Sequence, residues 1–174
     1  IDQSTAKFQV ELAAPVKEKT SVKVTLSAGF SGSQMIAAGA KTAQIEIKIP
    51  NAHLWSLEDP FLYNYQIQVG EGVQSDEVKG YFGMRKISVM NLPGSTIPYI
   101  ALNNKPVYLQ LALDQSYHPE GFYTFPTDDF MREEIMRSKR IGLNGIRTHV
   151  KIEVPRKLYW ADKLGLLVMA DVPN

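Results

Sequence analysis

The sequence predicts a mixed fold, in which an antiparallel β-sandwich is followed by a parallel sheet covered by helices. Two observations support this prediction. From residue 6 to about residue 90, apolar and polar residues alternate with period two, which is typical of antiparallel strands with one face in water. After residue 97 the apolar runs are short and continuous and alternate with helical patterns, which is typical of parallel strands buried on both faces.

The alternation recurs in five stretches of the first half. In AKFQVEL the apolar side chains leave one face of the strand and the polar side chains leave the other. The same pattern returns in SVKVTL, QIEIKI and LYNYQIQV and around Val78 and Phe82, with turn residues in AGFSGS and VGEGVQSDE between them. The stretch NLPGST, residues 91–96, predicts a linker, so we expect a sandwich domain over residues 1–90 and a second domain over residues 97–174.

The second half opens with YIALNNKPVYLQLAL, which predicts two short strands about an Asn103–Asn104 turn, the second being Val107–Leu113. A helix follows, because Thr127 can cap it and the basic residues Lys139 and Arg140 suit its last turn. The remaining elements have similar boundary signals: strand Gly145–Val150, helix Pro155–Leu164 with proline first and glycine after it, and strand Leu166–Ala170.

Ionisable residues interrupt these apolar strands where the strands end. Arg147 and His149 are two residues apart in GIRTHV, so both side chains are expected on one face. Asp114 follows the first strand of the parallel sheet, and Asp171 follows the third. Because ligand sites form at the carboxyl ends of parallel strands, we expect these four residues to meet in a site there. The alternative is a structural network of ion pairs that closes the end of the sheet.

The loop QSYHPEGFYTFP follows the first of these strands and is rich in rings. Aromatic faces stack on the C–H faces of sugars while polar groups bind their hydroxyls, so Tyr117 and His118 are candidates for contact with a sugar. Packing of both rings on the loop itself is an equal alternative. For Phe122 and Phe125 we expect packing.

Several functional classes are excluded by composition. Lys and Arg number 19 against 18 Asp and Glu, which argues against a nucleic-acid partner. No apolar run approaches the ~20 residues that span a membrane. Cysteine is absent, and the three histidines lack the spacing of a zinc site, so we expect no metal. No glycine-rich phosphate loop and no GxSxG motif is present, and we expect no cofactor.

Four stretches follow one another along the chain: LWSLEDPFLY (54–63), GYFGMRKISV (80–89), LNNKPVYLQLALDQSYHPEG, and GLNGIRTHVKIEVPRKLYWADKLGLLVMADVPN. In this order they resemble glycoside hydrolase family two, the group of β-galactosidases, β-glucuronidases and β-mannosidases. Family members usually have an Asn-Gly-Lys-Pro turn. Here Asn104 replaces the glycine, and asparagine tolerates the left-handed conformation that the turn requires.

The resemblance implies an immunoglobulin-like sandwich followed by the first three β/α elements of a (β/α)₈ TIM barrel. Arg147 and His149 align with the family's arginine and histidine of the second barrel strand, near the substrate and the catalytic carboxylates. Members reading Arg-x-x-His have a different spacing, and Asp171 stands where many have Glu. Trp55 is expected to shield the end of the sandwich.

The implied activity is retaining hydrolysis of terminal β-glycosides, as in a β-galactosidase of carbohydrate catabolism, with an oligosaccharide or β-glycoside as substrate. In the family, the acid/base glutamate follows strand four and the nucleophile ends strand seven. Both are expected beyond Asn174, so the chain alone is predicted to be inactive. It lacks an initiator Met and a signal-like start and resembles a piece of a longer protein. Its localisation therefore stays open between the bacterial periplasm and the cytoplasm. Exposed barrel strands predict association with another copy.

A non-catalytic interpretation also stays open at this point. The first half could be a carbohydrate-binding or adhesion-type sandwich module, with the second half an accessory α/β segment. The ionisable residues at the ends of the strands favour the enzyme, because an accessory domain has no need of Arg147 and His149 on one face of a buried strand.

Overall fold

The computed structural model describes residues 1–72, 75–115 and 117–172. Residues 73 and 74 of the predicted turn VGEGVQSDE lie outside the described part, as does Asn174. By its internal contacts the chain divides into two units: unit 1 comprises Ile1–His53 and Leu62–Met84, and unit 2 comprises Leu54–Phe61 and Arg85–Asn174.

Unit 1 consists of two antiparallel sheets, as the alternation predicts. One sheet pairs β1 (Thr5–Glu11) with β4 (Thr42–Lys48). The other has the order β3-β2-β5-β6 and comprises β2 (Thr20–Leu26), β3 (Ser31–Ile36), β5 (Tyr63–Val69) and β6 (Asp76–Phe82). The two sheets face each other, since the Phe8 ring of β1 lies 5.3 Å from that of Tyr65 in β5. Their alternate residues form the core, with Val22 and Val24 fully buried.

Strand β3 differs from the prediction, which placed a turn over much of it. Its inward positions include Gly32 and Gln34, so the apolar pattern is missing. Both residues have a reason in the structure. A methyl group on Gly32 would lie 2.8 Å from the Ile45 side chain, and the Gln34 side chain accepts a hydrogen bond from the backbone N–H of Gln44 at 2.7 Å. At Gly32 the two sheets approach too closely for a side chain.

Unit 2 begins with a three-stranded antiparallel sheet formed by β7 (Ile87–Asn91), β8 (Pro98–Leu102) and β9 (Lys105–Pro106). Residues 91–96, for which the sequence predicts a linker, connect β7 and β8, with Leu92 N–H donating to the Ile97 carbonyl at 3.0 Å. The Asn103–Asn104 turn is confirmed, because both residues have positive φ angles, 52° and 63°. The extents of the two domains in the whole protein stay a prediction.

The parallel sheet of unit 2 has β11 (Gly145–Thr148) between β10 (Leu111–Asp114) and β12 (Leu167–Ala170). Helix α1 spans Asp128–Arg140, and its Thr127 side chain accepts a hydrogen bond from Phe130 N–H, as predicted. Helix α2 spans Pro155–Leu164 and ends at Gly165 in the left-handed conformation, also as predicted. Strand β11 is shorter than predicted, since Val150 has a φ of 49°. In the described ranges, no helix has both the length and the apolar character that crossing a membrane would require.

The 54–61 segment belongs to unit 2 by its contacts, although it lies between β4 and β5 in sequence. Trp55 is fully buried, and its Nε1–H donates to the Asp162 carbonyl in α2 at 2.6 Å. The Arg85 guanidinium lies 4.6 Å from the centre of the ring. Trp55 is therefore a buried structural residue, and the hydrogen-bond acceptor and the cation beside its indole are both supplied by unit 2. That it shields the end of the sandwich stays a prediction. Tyr63 is structural in unit 1, where its hydroxyl accepts from His53 N–H.

Candidate functional site

The two faces of the parallel sheet differ in what covers them. Ile146 of β11 packs with Ile135 of α1 and Ala161 of α2, so the helices cover this face. Arg147 points to the other face, where its neighbours in register are Leu113 and Met169. Leu113 is 56% exposed and Met169 44% exposed. Arg147 therefore stands on the open face, near the carboxyl end of the central strand.

Arg147 and Asp171, two of the predicted site residues, form a bidentate ion pair. The Arg147 Nε donates to Asp171 Oδ1 at 3.0 Å, and Nη2 donates to Oδ2 at 2.9 Å. The backbone N–H of Val150 adds a third bond to Oδ2 at 3.2 Å. The hydrogen bond from Arg147, followed by that from Val150, lowers the pKa of Asp171 below its usual value. The carboxylate is thus held ionised and fixed in orientation.

His149 lies next to this pair and lines a concavity. Its backbone N–H donates to the Asp114 carbonyl at 3.0 Å, which extends the pairing of β10 and β11 by one residue. Its charge also contributes to the lowered pKa of Asp171. The concavity has a volume of about 610 Å³ and is lined by Gln115, Tyr123, His149, Val150, Lys151, Ile152 and Val154.

The Asp114 side chain does not join the Arg147–Asp171 pair. Its neighbour in register is the buried Thr148, so it faces the helices rather than the open face. There its Oδ2 accepts a hydrogen bond from Lys157 Nζ at 2.5 Å. The expectation that all four residues meet at one point is therefore wrong for Asp114. Leu113 is the residue paired with Arg147, and Asp114 follows Leu113, so its side chain leaves the opposite face of the sheet.

Lys157 is the residue that sequence reasoning missed. It is 2% exposed and forms ion pairs with Asp114, Glu134 and Glu153. Burial acts to lower the pKa of Lys157, but the hydrogen bond and charge of Asp114, with the charges of both glutamates, outweigh it and raise the pKa. The signal was a lysine in the same helical stripe as Ala161 and Leu164, where an apolar residue is expected.

The loop after β10 contributes less than predicted. His118 Nδ1 accepts bonds from the backbone N–H groups of Glu120 and Gly121, so this nitrogen is engaged within the loop. Tyr117 is 60% exposed and contacts the rings of Phe122 and Tyr123. Neither Tyr117 nor His118 lines the concavity, whereas Tyr123 does. Phe122, which was expected to pack on the loop, is 61% exposed, and its ring lies 6.0 Å from that of Tyr117 in the same loop.

The packing predicted for Phe125 fits its contacts. Its ring is partly buried and lies 6.3 Å from that of Phe130 in α1. Within the described ranges there is no group of three or more His, Asp or Glu residues placed to hold a metal ion. Among the residues that the structure describes, Arg147 uses two of its five N–H donors on Asp171, which leaves three for a ligand on the open face.

The ion pair predicts a specific dependence of stability on pH. Asp171 has a lowered pKa in the folded state, so its contribution is fully present above its unfolded value of about 4 and is lost as pH falls through the lowered value. Asp171→Asn should therefore reduce the free energy of unfolding at pH 7, and the difference from wild type should shrink toward pH 3. Urea denaturation at a series of pH values measures this difference, and an unchanged difference across the series would contradict the assignment.

The amino-acid sequence of the chain is similar to that of one protein family and of several glycosidases. Residues 1–85 match the family described as "Glycosyl hydrolases family 2". A putative β-glucuronidase of Formosa agariphila is 29% identical over 143 residues, which cover 80% of this chain and 13% of that protein. A β-galactosidase of Kluyveromyces lactis is 25% identical over 147 residues, which cover 80% of this chain and 14% of that protein. The chain thus spans a small part of the length of these relatives.

Solved structures share the fold over nearly the whole chain. A β-glucuronidase of Parabacteroides merdae with glycerol in its active site superposes with a TM-score of 0.75 at 24% identity, covering 97% of this chain and 21% of that one. A β-galacturonidase of Eisenbergiella tayi bound to galacturonate gives a TM-score of 0.74 at 22% identity, covering 95% of this chain and 29% of that one.

Proposed function

We propose that the chain is part of a retaining glycosidase of the glycosyl hydrolases family 2, which removes terminal sugars from β-glycosides, because residues 1–85 match that family. In this proposal unit 1 is an immunoglobulin-like sandwich, and β10, β11 and β12 with the two helices are the first β/α elements of a (β/α)₈ barrel. The observation that carries the proposal is the Arg147–Asp171 pair, which stands on the open face of a parallel sheet at its carboxyl end.

Arg147 would act as a binding and electrostatic residue. Its charge already holds one carboxylate ionised, and its side chain is 44% exposed, so that a ligand can reach it. A cation a few Å from a second carboxylate lowers the pKa of that group in the same way. Arg147 would therefore keep a nucleophilic carboxylate charged when one is brought next to it.

Asp171 would act as an acceptor for sugar hydroxyls. An ionised carboxylate has about four acceptor positions, and Arg147 and Val150 occupy three of them. One position is left for a hydroxyl, in an orientation that the ion pair fixes. His149, on the concavity beside it, would add a ring nitrogen to the same recognition.

The bond cleavage itself would be performed by two glutamates that lie elsewhere in the protein. In retaining hydrolysis one carboxylic acid protonates the leaving oxygen and a second carboxylate, ~5–5.5 Å away, attacks the anomeric carbon. The covalent glycosyl-enzyme is then hydrolysed by water. For the sugar we propose a β-galactoside or a β-glucuronide, in keeping with the activities for which the relatives are named.

The test is the replacement of Arg147 by methionine in the whole protein, assayed with nitrophenyl β-galactoside and β-glucuronide. Methionine keeps an unbranched stem but removes the charge and all donors, so kcat/KM should fall on the order of a hundredfold. Arg147→Lys should recover part of the loss, since it restores the charge without the bidentate geometry.

Arg137→Met is the matched control, because Arg137 is an exposed arginine of α1 that pairs only at the surface with Glu133. It should leave kcat/KM unchanged. Full activity in Arg147→Met would overturn the role of Arg147. A wild-type protein that binds oligosaccharides without hydrolysing any glycoside would instead favour a carbohydrate-binding module.

A further inference from the structure

The ammonium group of Lys157 is enclosed by three carboxylates. Its Nζ lies 2.5 Å from Asp114 Oδ2, 3.2 Å from Glu134 Oε2 and 3.7 Å from Glu153 Oε2. The lysine side chain is 2% exposed. A buried ammonium is costly unless its partners are close, and replacement of a whole buried ion cluster by apolar residues is often neutral or stabilising. Stability alone therefore gives no reason for a charged residue at this position of α2.

The groups around Lys157 come from different segments of the chain. Asp114 ends β10, and Glu153 lies in the connection between β11 and α2. The Phe125 ring, from the loop between β10 and α1, has its centre 4.7 Å from Nζ. Glu134, in α1, adds a carboxylate from the helix, 3.2 Å from Nζ. A single cation thus contacts both connections that follow the strands of the candidate site.

These contacts continue from the partners of Lys157 to the concavity. The Asp114 carbonyl accepts a hydrogen bond from the backbone N–H of His149 at 3.0 Å. Asp114 therefore binds Lys157 through its side chain and His149 through its backbone. Glu153 pairs with Lys151 at 3.3 Å, and the Lys151 ammonium lies 5.3 Å from the centre of the Tyr123 ring. His149, Lys151 and Tyr123 all line the concavity.

We propose that Lys157 is a positioning residue of this site. From the helix side of the sheet, Lys157 fixes the connections that follow β10 and β11, so that His149, Lys151 and Tyr123 keep their places around the concavity. Lys157 itself does not contact the ligand. The catalytic consequence rests on the proposed glycosidase function. The ordering of the two connections does not, and it is measured separately.

The experiment compares Lys157→Met with Lys163→Met in the whole protein. Both changes are in α2, but Lys163 is exposed, so the control makes the same chemical change without touching the cluster. Amide hydrogen exchange is followed by mass spectrometry in peptides covering residues 117–126 and 149–154. Loss of a charge-assisted hydrogen bond should accelerate exchange in both regions by roughly tenfold in Lys157→Met, whereas Lys163→Met should match wild type.

A second variant covers the case in which Lys157→Met does not fold. Asp114→Ala removes one acceptor while leaving Lys157 two other carboxylates, so the fold should persist and exchange in 149–154 should accelerate. Wild-type exchange rates in both regions of a folded Lys157→Met, or in 149–154 of Asp114→Ala, would overturn the positioning role.

Kinetics supply the second readout. With an active wild type, Lys157→Met should lower kcat/KM at temperatures where the variant is fully folded, and Lys157→Arg should restore part of it along with slower exchange. An unchanged kcat/KM in folded Lys157→Met would overturn the catalytic consequence. A wild type without glycosidase activity would defeat the proposed function, and the exchange rates would still decide whether Lys157 orders the two connections.

Discussion

Replacing Trp55 by alanine is expected to lower the free energy of unfolding by about 3–5 kcal/mol. The indole is fully buried, so its removal leaves a large cavity in unit 2. The change also removes the hydrogen bond from Nε1–H to the Asp162 carbonyl and the ring beneath the Arg85 guanidinium. Urea denaturation followed by circular dichroism measures the effect.

The control for this change is Trp55→Phe, which keeps most of the ring but not the N–H donor. It should lose less stability than the alanine variant, since the cavity is smaller. Because the described partners of Trp55 are Arg85, Asn103 and Asp162 rather than Arg147 or Asp171, turnover per folded molecule should stay close to wild type. A variant with normal stability and lost turnover would contradict the structural role of Trp55.

The isolated 174-residue chain is expected to have no glycosidase activity, which is the largest effect on function that we predict. Retaining hydrolysis requires two carboxyl groups about 5–5.5 Å apart on either side of the bond. Asp171 pairs with Arg147 on the open face of the parallel sheet. Asp114 faces the helices on the other side of the sheet. The two acidic residues are thus on different faces and cannot act on one bond. Assays with nitrophenyl β-galactoside, β-glucuronide and β-mannoside test this.

The comparison for this assay is the whole protein under the same conditions, which should be active on at least one of the three substrates. Turnover by the isolated chain that disappears in Asp171→Asn would overturn the account, since the chemistry would then be performed at Asp171 itself.

Helix boundaries were the most predictable part of the fold, because local interactions determine them. Helix α2 spans Pro155–Leu164 as predicted, since proline fixes its first turn and Gly165 adopts the left-handed conformation after its end. The Thr127 cap of α1 follows from the same kind of local chemistry. The alternation of the sandwich strands was also readable, because one face of each strand is in water.

The missed features depend on contacts between segments far apart in sequence. Strand β3 lacked an apolar pattern because Gly32 and Gln34 are matched to β4 rather than to a general core. The common position of Asp114 and Arg147 at strand ends was readable, but their opposite orientations followed only from the register of β10 on β11. Lys157 was hidden because its partners come from three separate elements.

The 54–61 segment has a consequence for recombination between related proteins. By sequence it lies between two strands of unit 1, yet its Leu57 carbonyl accepts from Lys139, and a methyl group on Gly165 would lie 2.4 Å from the same oxygen. A chimaera that takes the sandwich from one parent and the parallel sheet from another would bring a foreign 54–61 segment to this surface. Such an exchange should succeed only when residues 54–61 come from the parent that supplies Lys139, Asp162 and Gly165, so the inheritable module is discontinuous in sequence.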